Sequence, residues 1–215
     1  MSSMTPNSFN YMPLVSSLCG AFFGALGAYW VGRFKEKRDE DKRRYTALLT
    51  TQYALYSQWS IAEMLRKDFL ESVRNDQDRW QKLKNFIIPY KHIEVPFDEL
   101  SFLLESKEPN LLQEIHIAEK RYSTCVEMLE RVNKTRLELQ TKYPPITFNM
   151  ATGIGNITAP RHEVFILKEL TDMLYDSADK ALPTLSKTNE LVFDFIKANH
   201  GNKKGMKFVP IEKST

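Results

Sequence analysis

The chain has 215 residues, 42% of them hydrophobic, a formal charge of +3 and a pI near 8.7. That length holds one domain with its own core once a membrane segment is subtracted, and leaves no room for a second full domain. So mild a basic surplus argues against nucleic acid as a partner, because such binders carry larger and more clustered positive charge.

From Met1 to Gly32 there is no Asp, Glu, Lys or Arg. The apolar run from Pro13 to Gly32 is about 20 residues long, enough at ~1.5 Å per residue to cross roughly 30 Å of hydrocarbon. This predicts a transmembrane helix over 13–32, preceded by an extracytoplasmic amino terminus over 1–12. A cleaved signal peptide would start with positive charge and have a shorter apolar core, and this segment has neither. Arg33, Lys35, Lys37, Arg38, Lys42, Arg43 and Arg44 follow at once and make 33–44 a basic juxtamembrane segment. By the positive-inside rule the body then lies in the cytosol. Tyr29 and Trp30, with Arg33, Lys35, Lys37 and Arg38, are the expected anchors at the membrane interface. Glu36, Asp39, Glu40 and Asp41 interrupt the basic run, which favours plain stop-transfer chemistry over a polybasic lipid site.

Small residues recur every four positions at Ser16, Gly20, Gly24, Ala28 and Gly32 and form one ridge along a helix. Val15, Leu18, Phe22, Phe23, Leu26, Tyr29 and Trp30 occupy the opposite half. Lipid tails are as apolar as leucine, so close backbone approach across small residues is what holds membrane helices together. The row is therefore the expected helix-helix contact of a homo-oligomer. A small surface covering half the helix suits a ring, whose lumen of Ser, Gly and Ala would offer little ion selectivity. The competing explanation is that Gly and Ala are common in membrane helices anyway.

Beyond the basic run, Leu48, Leu49, Leu55, Tyr56, Trp59, Ala62, Leu65, Phe69 and Val73 keep helical steps. The Asn75-Asp76-Gln77-Asp78 cluster is a turn or a helix end, and Pro89 breaks the pattern. After a short helix near 98–105, Asn110 is the expected cap of a long helix running to Thr141, before Pro144-Pro145. Its stripe includes Leu111, Ile115, Ala118, Tyr122, Cys125, Leu129, Val132 and Leu139. Residues 143–160 show no helical period and read as a loop. Val164 to Leu182 mark a further helix, Leu185 to Ile196 a last one after Pro183, and His200-Gly201 ends the fold. The fold class expected is all-α: one transmembrane helix, then a cytosolic bundle of about four long helices over 45–200, and a tail over 201–215.

Chemistry is harder to find. His92, His116, His162 and His200 each lack a His or Cys partner at helical spacing, so neither metal nor cofactor is expected. The only two cysteines, Cys19 and Cys125, stand in unlike surroundings and suggest no disulfide framework. Helical-bundle ribonucleases place an Arg and a His within a turn or two. Here Arg161 and His162 are adjacent, which disfavours that class. Gly153 and Gly155 form a bare GxG without a phosphate-binding fingerprint. No catalytic residue is nominated and the chain is read as non-enzymatic.

The stretch PFDELSFLLESKEPNLLQEIHIAEKRY, Pro96 to Tyr122, resembles a segment of uncharacterised bacterial proteins that begin with one membrane helix. The whole plan is similar to membrane effectors of bacterial antiviral defence. That resemblance implies the bacterial inner membrane as location, with assembly into a pore or permeabilising effector as function. The alternative expectation is a membrane-tethered adaptor that docks a cytosolic protein partner.

Overall fold

Between Gly32 and Pro89 the chain has neither glycine nor proline, so nothing local stops a helix once begun. In a computed structural model of the protein, helix α1 accordingly runs without interruption over Met12–Met64. The structure describes residues 12–84, 86–88, 93–106, 108–144, 147–149, 154–156 and 159–201. Two compact units separate at Arg44/Tyr45. In the first, the described side chains of α1 up to Arg43 are exposed all round.

In the second unit, α1 buries Leu48, Thr51, Leu55, Trp59 and Ala62 in steps of three and four. At Leu65 the winding loosens into a π-helix over Leu65–Leu70, then tightens into a 3-10 turn over Glu71–Val73. The acidic cluster that follows makes an Asx turn, with Asp78 N–H donating to Asp76 Oδ1 at 2.9 Å. Helix α2, only Arg79–Lys82, follows it. A 3-10 segment over Phe97–Glu105 leads into α3, Asn110–Lys142, and α4 spans Arg161–His200.

Helices α3 and α4 pack antiparallel. Lys142 pairs with Glu163 at one end (2.6 Å) and Lys187 with Glu114 towards the other (3.3 Å). The core between and beneath them is apolar, with Leu100, Ile115, Val132, Leu174, Leu185 and Ile196 fully buried. The α3–α4 connection is latched at its base by Tyr143, whose hydroxyl donates to Glu163 Oε1 at 3.1 Å.

The all-α class is observed, with four corrections of detail. Three long helices, not about four, carry the described fold. The two helices expected on either side of Pro183 are one, because Ala181, Leu182 and Leu185 bury against the core on both sides of the proline. Packing there outweighs the hydrogen bond that proline cannot donate. Asn110 does not cap α3: Pro109 holds that position, and no side chain bonds the helix end. The 143–160 segment contains a short antiparallel ladder, β1 (Thr147–Asn149) with β2 (Ile154–Asn156), pairing Phe148 with Gly155. Three-residue strands are too short to show an alternating pattern in sequence.

Candidate functional site

The nominated row lies on the exposed part of α1. A Cβ built at Gly20, Gly24, Gly27 or Gly32 meets nothing within 4 Å. These glycines are therefore not required by packing inside the described chain. Ala28 is exposed on the same ridge, while the side chain of Ser16 lies outside the described residues. From Gly20 to Gly32 the ridge is about 18 Å long at the helical rise.

Large apolar side chains fill the other face. Phe22, Phe23, Tyr29 and Trp30 are 59–70% exposed there, while Val31, 68% exposed, stands on the glycine side. At the boundary with the charged segment, Trp30 and Phe34 rings lie 6.0 Å apart and Arg33 sits 5.9 Å from the Tyr29 ring centre. Lys35, Lys37 and Arg38 are exposed one turn further on. The structure thus places the five row positions and the six expected anchors on one helix. Among the described residues it brings none of their described side chains together with a second element. Among the described residues, no helix is long and apolar enough to cross a membrane. The side chains of 12–16, 18 and 19, which include Leu14, Val15, Leu18 and Cys19, lie outside those residues. The amino terminus over 1–11 and the tail beyond Gly201 lie outside them too.

The described histidines stay apart. His116 is exposed with its ring 5.6 Å from that of Phe97, and His200 meets Tyr45 at 5.1 Å. His162, three-quarters exposed, lies 3.8 Å from Glu163. His92 is outside the described residues. Among the described residues no group of three or more His, Cys, Asp or Glu is placed to hold a metal ion. Cys125 is buried, and burial pushes its thiol up to about 11, which suppresses the reactive thiolate.

A polar clamp that sequence reasoning missed fastens residues 65–84 to α3 and α4. Arg74 makes a two-pronged ion pair with Asp179 (2.9 and 2.7 Å), and Arg79 binds Asp172 (3.1 and 2.6 Å). Both guanidinium groups lie over Tyr175, 5.3 and 4.5 Å from its ring centre. The Arg74 hydrogen bonds hold the Asp179 carboxyl below its ordinary value. Tyr175 in turn donates its hydroxyl to the carbonyl of Leu70 at 2.8 Å.

Deeper in, Arg136 is 6% exposed and donates to the carbonyls of Trp80 (2.7 Å) and Leu83. Burial pushes its guanidinium below the ordinary value. Asn133, one turn earlier, donates to Phe86 O at 2.8 Å. These bonds satisfy carbonyls in a stretch with too little regular structure to satisfy its own. One sequence signal pointed here. Arg136 falls between Val132 and Leu139 on the apolar stripe of α3, where a hydrophobe is the norm.

No protein-family model, curated protein or solved structure matches this chain. A functional reading therefore rests on the residues themselves.

Proposed function

We propose that this chain is a single-pass protein of the bacterial inner membrane. Its first 32 residues provide the anchor and its helical body, in the cytosol, is gathered into a homo-oligomer through the Gly20, Gly24, Ala28 and Gly32 row. One observation carries the reading: an uncharged helix exposes aromatic rings on one face and bare glycine backbone on the other, and a basic segment follows it. In water such a surface is costly. Phe22, Phe23, Leu26, Tyr29 and Trp30 together forgo on the order of 10 kcal/mol of burial at ~1.5–3 kcal/mol per side chain. Lipid recovers that on the aromatic face, and a second copy recovers contact on the glycine face. In its stronger form the oligomer is a ring that permeabilises the membrane. Loss of membrane potential in expressing cells is the measurement for that form.

Extraction and particle mass test the reading. The protein is expected to resist alkaline carbonate and to leave the membrane only with detergent. The extracted particle is expected to be larger than a dimer. Gly24→Leu meets no side chain within the described chain, so its effect reads assembly and not folding. It is expected to disperse the particle. Release by carbonate refutes the anchor, and an unchanged Gly24→Leu particle refutes the interface.

A membrane-tethered adaptor is the second reading, favoured by the half-exposed Phe165, Ile166 and Met173 along α4. An apolar stripe of this kind on a helix fits a protein partner. It predicts a monomer in detergent with undiminished membrane potential.

A further inference from the structure

Residues 65–84 have little backbone structure of their own: six in the π-helix, three in a 3-10 turn and four in α2. Their attachment comes instead from side chains of α3 and α4. Leu70, Trp80 and Leu83 insert into the core, and Tyr175 and Arg136 hold the carbonyls of the same three residues. On the rim, the Arg74–Asp179 and Arg79–Asp172 pairs have side chains 29–46% exposed. Exposure of that degree leaves them open to screening by salt.

We propose that residues 65–84 form a strap, hinged at the π-helix, that lifts from the α3–α4 pair as one unit when its two rim ion pairs are weakened, while the pair itself stays folded. Three features point the same way. A π-turn and then a 3-10 turn interrupt the regular ladder where α1 ends; π-turns are rare and concentrate at functional sites, and 3-10 stretches often mark hinges. Against it, on α4, lies Pro183, which cannot donate a backbone bond to Asp179. Between the two irregularities is a cleft of about 260 Å³, lined by Trp59, Arg66, Leu182 and Pro183 among others. It gives the hinge room to turn.

The third feature is Arg136. Among the described residues it forms no ion pair, so the closed strap keeps a cation out of water with only carbonyl dipoles for company. Lifting returns that charge to solvent and offsets part of the apolar surface exposed. The α3–α4 pair does not depend on the strap, because Ile115, Val132, Leu174, Leu185 and Ile196 are fully buried in its core, and apolar burial is not screened by salt. Segments with few regular backbone bonds open first in native-state exchange.

Hydrogen exchange on the full detergent-extracted chain tests this, with sodium chloride at about 10 mM and about 1 M, between which the screening length falls roughly tenfold. Amides of 70–84 are expected to exchange together and up to about tenfold faster at high salt, the product of two exposed pairs each worth a few-fold. Core amides of α3 and α4 are expected to keep their protection. The double variant Asp172→Asn, Asp179→Asn at low salt is expected to reproduce the fast strap and to lose the salt response. Equal acceleration across α3 and α4, a response confined to the two arginines, or no response at all overturns the proposal. Should the double variant fail to fold, the wild-type salt comparison decides alone.

Discussion

Asn189 is 2% exposed in the middle of α4, and its amide oxygen has no hydrogen-bond partner among the described residues. Its neighbours Leu185, Thr188 and Val192 are fully buried. A carbonyl stripped of water and left unpaired costs about 1–3 kcal/mol. Asn189→Leu removes that cost and replaces the amide with an apolar group of the same heavy-atom count, which adds transfer free energy, less what its bulkier methyl groups cost in overpacking. The net expectation is a gain of about 2 kcal/mol, and for a body of this size that raises Tm by about 4–8 °C. The assay is thermal unfolding of the full chain in detergent, followed by far-ultraviolet circular dichroism. Asn189→Ala is the control, because it deletes the same oxygen but leaves a hole, and it is expected to fall below the Leu variant. A Leu variant that melts at or below the wild type refutes the reasoning, since the oxygen must then be satisfied in solution.

Leu174, fully buried on α4, should cost about 2–5 kcal/mol when cut to Ala, read in the same melt as a fall of about 4–20 °C. Asp179 titrates below its ordinary value because Arg74 hydrogen-bonds its carboxylate. Its stabilising contribution is thus fully present above the unfolded value of about 3.9 and is lost as pH falls through the lower folded value. The Tm gap between wild type and Asp179→Asn is expected to be constant above about pH 5 and to close below about pH 4; a gap that persists in acid contradicts the pairing. Cys125 should resist maleimide in the folded protein and react only on global unfolding, given its burial and raised pKa. Rapid labelling without denaturant would place that thiol at the surface.

Helical content was legible because it depends on spacing within one segment. The stripes of α1, α3 and α4 repeat every three or four residues, and the absence of Gly and Pro between positions 32 and 89 lets α1 run on. Punctuation is less legible. Pro183 looks like a boundary, yet α4 passes through it. Asn110 looks like a cap, yet the chain turns at Pro109. At Pro183 the local signal is overruled by the burial of Ala181, Leu182 and Leu185, contacts that the signal does not contain.

Taken alone, the sequence determined where charge is absent and where it begins, which faces of each helix are apolar, and that a glycine row runs opposite a row of aromatics. Those are properties of one segment at a time. Only the tertiary structure decided that Arg74 meets Asp179 across 105 positions and Arg136 meets Trp80 across 56. It also decided that an arginine can fill an apolar site because two backbone carbonyls await it there. Such pairings follow from how helices cross in space, and helical periodicity is blind to that distance.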